Sequence, residues 1–384
     1  MNEIRKYQRC IKGLWDTTIP NISFDKSGVS NYYRMFQRLE KEFPNDAEGY
    51  KKWQDDLKLI RKNGKNKTYD CIIGLSGGTD SSYLLHLAVK KWGLRPLAVN
   101  LDNGWSSDIA VSNIKNMTDL LNVDLVTYVI DYEEVKAVLR AFMKAGLPWI
   151  DGPTDRAIKS TLFNIAAKEN IKTILVGTDF RSEGKQPEEW THNDSKLFKY
   201  IVSKFENKKL KTYPNMSLFR QIYCGAILRI KRYQPFYHIE YQKKTAQEYL
   251  IRNYNWKYYG GHHHENLFTK FSIAHWMFNK FNIDKRIITF SAQIISGEMT
   301  RDEAITELQN LPFDEKQMKR DINTVIKKLG LSFDEFKIIW NCPNKTFHEY
   351  PSHYNLIMNN RKAIKKYSHL IMPTVPKMIV VEEN

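Results

Sequence analysis

The strongest constraint on how this chain can fold is the run Cys71-Ile72-Ile73-Gly74-Leu75-Ser76-Gly77-Gly78-Thr79-Asp80-Ser81. An apolar stretch ends in two glycines, and a helical pattern (Tyr83, Leu84, Leu85, Leu87, Ala88) starts at once. That is a buried strand, a tight turn and a helix start. Such a junction aims several backbone N–H groups at one point, where the helix dipole also favours an anion. Gly77 and Gly78 permit close backbone approach, while Ser76, Thr79 and Ser81 add hydroxyl donors. Asp80, being acidic, would orient donors or hold Mg²⁺ rather than touch a phosphate. A nucleotide phosphate is the expected ligand of Ser76 to Ser81. No Lys-Ser/Thr follows the glycines and no Gly-x-Gly-x-x-Gly occurs there, which excludes the common GTPase loop and weakens a dinucleotide reading.

From Tyr69 onward strands and helices alternate. Strands are predicted at 70–75, 96–101, 124–130 and 172–177, and helices at 80–91, 106–122, 132–145 and 155–169. This pattern implies α/β architecture with a doubly wound parallel sheet, in which ligands sit beyond the carboxyl ends of the strands. Two further strand ends therefore become candidates. Asp102, before Asn103-Gly104-Trp105, could reach a ribose or Mg²⁺, or simply form a turn. Gly177 would let a nucleotide approach, and Thr178 or Asp179 could bind phosphate or metal. Asp151 is a further ligand candidate, with Thr154 or Asp155 capping the helix after it. Glu183-Gly184 and Trp190 suit a mobile loop over the site.

Three segments follow from the patterning. Residues 1–60 hold a β-like piece, Ile22-Ser23-Phe24, and helical patterns; a basic linker, Arg61 to Lys67, closes them off. Residues 61–257 carry the alternating elements. Residues 258–384 are mostly helical, with capping boxes at Thr300–Glu303 and Ser332–Glu335. Four scattered cysteines and no apolar run of membrane-spanning length predict a cytoplasmic protein without disulfides or a membrane span. The net charge of +16 favours anionic ligands. Between Lys196 and Lys257 there are 14 Lys/Arg against 3 acids, interleaved with tyrosines, which suits nucleic acid or a nucleotide-sugar. Gly260-Gly261-His262-His263-His264-Glu265 is the densest polar cluster; substrate binding or proton transfer fits it better than a metal, since consecutive residues rarely converge on one centre. Tyr7, Cys10, Ser30 and Tyr33 have the spacing of two zinc-knuckle pairs with one cysteine among them, so no structural zinc is expected.

Ser76-Gly77-Gly78-Thr79-Asp80-Ser81 resembles the pyrophosphate (PP) loop of the ATP pyrophosphatases. Over nearly its whole length the chain resembles one branch of that superfamily, the N-acetyl sugar amidotransferases. The resemblance rests on Asp102 to Trp105, Gly177 to Asp179, Gly260-Gly261 with His263-His264-Glu265, Phe268-Thr269-Lys270, Ile283 to Arg286, and Ser296 to Ala304. It implies the adenine nucleotide alpha-hydrolase-like (HUP) fold, a degenerate zinc-ribbon-like N-terminus, ATP and Mg²⁺ as cofactors, and no zinc. It also implies adenylation of a sugar acetamido oxygen and displacement of AMP by ammonia, giving an acetamidine for a bacterial surface glycan. His263, His264 and Glu265 would then handle the amide and its protons; Trp105, Asp151, Lys285 and Arg286 would meet the sugar; Asp80 and Asp179 would hold Mg²⁺. His262 stands where relatives usually have lysine. No glutaminase is evident, so a partner glutaminase or free ammonia would supply nitrogen. The sugar would be nucleotide-activated or nonulosonic, and the helical C-terminal part could form a homodimer. The alternatives are a tRNA-modifying PP-loop ATP pyrophosphatase, for which no cysteine pair is present, and a nucleotide-binding module without chemistry. Nucleic acid is the less expected partner.

Overall fold

The computed structural model describes residues 6–261 and 264–371. Two helices, α1 (Asn31–Glu42) and α2 (Ala47–Gly64), precede a five-stranded sheet: β1 (Cys71–Gly74), β2 (Pro96–Asp102), β3 (Leu125–Val129), β4 (Thr173–Leu175) and β5 (Lys231–Tyr233). Every pairing is parallel, in the order β3-β2-β1-β4-β5. Cys71, Ile72, Ile73, Ile174 and Leu175 are fully buried, as interior strands of a sheet covered on both faces must be. The four predicted strands form where the sequence placed them. The fifth, Lys231-Arg232-Tyr233, has no apolar pattern and becomes a strand only by pairing with β4.

Helix α3 (Thr79–His86, continued by a π-helical turn Leu87–Lys91) joins β1 to β2, and α4 (Asp108–Leu121) joins β2 to β3; α5 (Tyr132–Lys144) and α6 (Gly152–Lys168) lead back across to β4. The chain thus winds outward from β1 on one side and resumes on the other, leaving a switch point between the carboxyl ends of β1 and β4. Helices α7 (Phe180–Glu183), α8 (Glu188–Thr191), α9 (Ser195–Phe205) and α10 (Leu218–Ile222, with a π turn Tyr223–Ile227) lie between β4 and β5. After β5 come α11 (Lys243–Tyr254), α12 (Leu267–Phe271, continued as a π helix Ser272–Lys280), α13 (Arg286–Ile295), α14 (Arg301–Gln309), α15 (Glu315–Leu329), α16 (Phe333–Asn341), α17 (Tyr354–Asn359) and α18 (Arg361–Ile371). Both predicted capping boxes form, and they start α14 and α16.

Several local expectations are revised. Arg61 to Gly64 belong to the last turn of α2 rather than to a linker. Arg95 braces that turn, donating to Gly64 O at 2.9 Å while pairing with Asp70 at 2.8 Å. Trp53, Leu57 and Ile60 of α2 share a core with Ile73 and Leu84. Of Ile22-Ser23-Phe24, only a single bridge, Phe24 to Ser30, has β geometry. The N-terminal turn packs on the C-terminal helices: Leu14 N–H donates to Ser291 Oγ at 2.7 Å, Arg301 donates to Cys10 O and Gly13 O, and Trp15, Ile287 and Ile288 share a core. At the knuckle positions, Ser30 N–H donates to Cys10 Sγ at 3.3 Å, Ser30 Oγ caps α1, and Tyr7 donates to Asp16 at 3.0 Å. Among the described residues, no helix is long and apolar enough to cross a membrane.

Candidate active site at the phosphate loop

The loop Ser76–Gly78 leaves β1 at the switch point. Gly77 sits at φ +77°, and a Cβ there would meet the Ala110 carbonyl oxygen of α4 at 2.3 Å, so only glycine fits. Gly78 precedes α3 as its N-cap and has no side chain to cap with. The loop's own hydroxyls serve instead: Gly78 N–H donates to Ser76 Oγ at 3.3 Å, and Ser81 Oγ bonds both Ser76 N–H and Gly78 O. Thr79 N–H points to the Tyr259 hydroxyl at 3.2 Å. The first turn of α3 is therefore lined with polar donors on long hydroxyl contacts that an anion can displace.

Helix α11 with the segments on either side of it, together with α4, braces the loop, a feature the sequence did not reveal. Trp256 Nε1 donates to Gly77 O at 3.1 Å, Asn113 Nδ2 donates to the same oxygen at 3.2 Å, and Gln247 donates to Thr79 Oγ1 at 3.2 Å. Asp80 has both oxygens engaged, one by the Tyr241 hydroxyl and the other by Lys243 Nζ at 3.0 Å. Burial pushes the Lys243 ammonium down, but Asp80 and Glu183 outweigh it and hold it above its ordinary value. Half of the eight tyrosines interleaved with the basic residues are core: Tyr213, Tyr237, Tyr241 and Tyr254 are all buried. Side-chain burial depends on tertiary packing, and the basic residues interleaved with them gave no sign of it.

On the β4 side, a Cβ on Gly177 would stand 2.8 Å from Asp80 O, so the close approach made there is to the start of α3. Thr178 Oγ1 accepts from Gln234 at 2.8 Å. Asp179 is 2% exposed and caps α7, its Oδ2 accepting from Ser182 N–H at 3.0 Å, while Oδ1 is buried without a hydrogen-bond partner among the described residues. Burial lifts its carboxyl to about 7. Because the folded state then holds the proton more tightly than the unfolded chain, this residue's contribution to stability is full below the ordinary carboxylate range and is lost as pH rises toward 7. Asp179→Asn keeps the cap and cannot ionise, so its melting temperature should fall less than the wild type's between about pH 5 and about pH 8. Thermal scans at a series of pH values check this; parallel curves would refute it. Glu183 and Trp190 belong to packed structure, with Trp190 buried and Gly184 held against Ile288 of α13.

Asp102 accepts from Gly104 N–H at 2.8 Å, making the turn, and borders an open groove of about 640 Å³ between β2, β3 and α4. Trp105 is buried, 5.2 Å from the Phe268 ring. Asp151 is the N-cap position of α6, which starts at Gly152, so Thr154 and Asp155 lie inside the first turn instead of capping it. Asp151 is 3% exposed and accepts from Thr269 Oγ1 at 2.5 Å. Lys285 lies over the Trp149 ring at 4.3 Å, with Asp155, Glu183 and Asp151 acting on its charge. Arg286 is turned to Asp284 at 2.8 Å and to Glu307 O. Burial pushes the Lys285 ammonium down against the pull of Asp155, Glu183 and Asp151, whereas Trp105 and Arg286 have structural partners.

The glycine–histidine segment returns to this loop. Ser107 N–H donates to Glu265 O at 2.8 Å, Ser106 and Asn266 form a β-bridge, and Leu267 N–H donates to Trp105 O at 3.0 Å. This clip sets Glu265 Oε1 and the Tyr259 hydroxyl 3.2 Å and 3.3 Å from the position a Cβ on Gly78 would take. The His264 ring lies against Gly261. His262 and His263 lie outside the described residues. Among the described residues, no group of three or more His, Cys, Asp or Glu is arranged to hold a metal.

Fold and site together define an α/β protein with a parallel sheet and a glycine-containing strand–turn–helix loop at its switch point. Residues 265–364 match the family model described as LPS biosynthesis protein WbpG-like, C-terminal domain. An uncharacterized protein of Methanocaldococcus jannaschii is 34% identical over 96 residues, 24% of this chain; the chain spans only 34% of that relative's length. Solved structures that resemble the fold include the NH3-dependent NAD synthetase of Campylobacter jejuni (TM-score 0.29, 14% identity, 74% of this chain and 98% of that one). The NMN synthetase of Francisella tularensis (0.28, 14%, 79% and 97%) is another. A third is the U34-tRNA thiolase NcsA of Methanococcus maripaludis with its iron–sulfur cluster (0.31, 13%, 80% and 90%). Likenesses at these scores speak to none of the chemistry.

Proposed function

We propose that this protein is an ATP-dependent amidotransferase that converts a sugar acetamido group to an acetamidino group during surface-glycan synthesis. The observation that carries the reading is the clip that sets Glu265 beside Gly78, joining the WbpG-like C-terminal region to the phosphate loop. In the proposed reaction the acetamido oxygen attacks the α-phosphate of ATP and pyrophosphate leaves. Ammonia then adds to the activated carbon, AMP departs with the former amide oxygen, and the proton lost from nitrogen passes to a base. The amides and hydroxyls of Ser76–Ser81 bind the pyrophosphate moiety, and Lys243 adds positive charge beside it. Glu265 is suited to take the proton, and in this reading Asp151, Thr269 and Lys285 would meet the acceptor. Mg²⁺ fits Asp179, whose Oδ1 is buried and unpaired, better than Asp80, whose oxygens are both engaged. When bound, Mg²⁺ would neutralise charge on the leaving pyrophosphate. A glutaminase partner or free ammonium would supply the nitrogen.

The test incubates the protein with ATP, Mg²⁺, ammonium and nucleotide-linked or nonulosonic N-acetyl sugars. AMP, pyrophosphate and exchange of the acetamido oxygen for NH in the sugar are followed together. ADP as the product would refute the reading, and AMP release that depends on tRNA would replace it with tRNA modification. Glu265→Gln should lower turnover on the order of 10²–10⁴-fold, the usual contribution of a positioned base, with ATP affinity retained.

A further inference from the structure

One face has no part in this chemistry. Residues 207–239 contain seven Lys or Arg and neither Asp nor Glu, and residues 350–371 contain four Lys or Arg and again no acid. The fold brings the two acid-free stretches together, because α18 packs against the π-helical turn Tyr223–Ile227 that continues α10. On this face Phe219 is 84% exposed, Tyr223 43% and Ile227 67%. They recur every four residues along α10 and its π turn, and therefore share one side of the helix. Arg220 and Arg229 flank this stripe, and Arg361, Lys362 and Lys366 stand exposed on α18. Leu356 of α17, just before α18, is 56% exposed.

An aromatic and an aliphatic side chain this exposed, in a chain with an ample core, are a costly arrangement unless something covers them. The surroundings indicate what does. An apolar stripe beside exposed cations is complementary to a surface that is anionic outside and hydrocarbon within. A nucleic-acid platform would place π faces for stacking, and Ile227 and Leu356 have none. We propose that the α10–α18 face is a peripheral docking surface for an anionic phospholipid bilayer, with Phe219 and Ile227 entering the headgroup boundary and the α18 cations pairing with lipid phosphates. Such docking would hold the phosphate loop near a membrane without any spanning helix.

Flotation of the full chain with vesicles of equal parts phosphatidylcholine and phosphatidylglycerol, against pure phosphatidylcholine, tests this. Binding is expected to the anionic vesicles alone and to weaken with salt. The triple reversal Arg361→Glu, Lys362→Glu, Lys366→Glu should weaken it on the order of a hundredfold or more. The pair Phe219→Glu, Ile227→Glu should weaken it about tenfold or more. Both variants should keep the wild-type urea midpoint and sedimentation coefficient. Equal binding to neutral vesicles, no binding at all, or variants that bind like the wild type would overturn the proposal. So would a wild-type dimer that the Phe219/Ile227 pair dissociates, which would assign the stripe to a second copy. RNA binding that ignores that pair, without vesicle binding, would assign the cations to nucleic acid.

Discussion

Gly77→Ala is expected to destabilise the protein by roughly 2–5 kcal/mol, a large share of the roughly 5–15 kcal/mol that holds a typical domain together. Two independent causes add. The residue sits at φ +77°, where any side chain costs about 1–2 kcal/mol. Its Cβ would also stand 2.3 Å from the Ala110 carbonyl oxygen, and because that atom is α4 backbone rather than a flexible side chain, the helix itself must move, at about 1–3 kcal/mol. Gly93 provides the control: it sits at φ +59° with nothing within 4 Å of a new Cβ. Gly93→Ala should therefore lose only the conformational part. Urea midpoints of the two variants separate the causes, and equal losses would mean that α4 does not press on the loop. ATP-dependent AMP release should vanish in Gly77→Ala alone, because a shifted loop no longer aims its amides at one point.

The second large effect concerns Lys243. Its ammonium and Asp80 lie 3.0 Å apart, with side chains 16% and 20% exposed. Lys243→Met keeps the apolar stem but leaves the Asp80 carboxylate facing Tyr241 without a counter-charge, which should cost about 2–4 kcal/mol. Adding Asp80→Asn removes the stranded charge, so the double variant should recover much of that stability. Turnover should behave differently. Removing a preorganised cation beside the reacting phosphate lowers it on the order of 10²–10³-fold, and neutralising Asp80 cannot restore that. Strictly additive urea midpoints across the cycle would show that the two groups are not coupled. Recovered turnover in the double variant would mean that Lys243 serves only to hold Asp80.

The parts of this protein that were legible in advance obey local rules. Buried strands such as Cys71–Gly74 are continuous apolar runs, and Thr300 and Ser332 open helices with a glutamate three residues on. The pair of glycines after β1 announced a turn that a side chain would block. What escaped was non-local. Lys231–Tyr233 became a strand only through β4. Trp256, Gln247 and Lys243 brace a loop that precedes them by more than 160 residues, and nothing at that sequence distance leaves a periodic trace. Asp151 was expected just ahead of a helix and turned out to be its N-cap position, a shift of a few residues of the kind that propensity resolves poorly. Trp105 and Arg286, expected at the substrate, are held by core and ion-pair partners.

By itself the sequence determined the alternating α/β core, the strand–glycine turn–helix at Ser76–Ser81 and the capped C-terminal helices, because each depends on residues within one or two turns of one another. Tertiary structure alone decided that Asp80 is held by Tyr241 and Lys243, that half of the interleaved tyrosines lie in the core, and that Glu265 stands against Gly78. Those outcomes depend on which distant surfaces exclude water from one another, and burial of that kind is a property of the assembled chain.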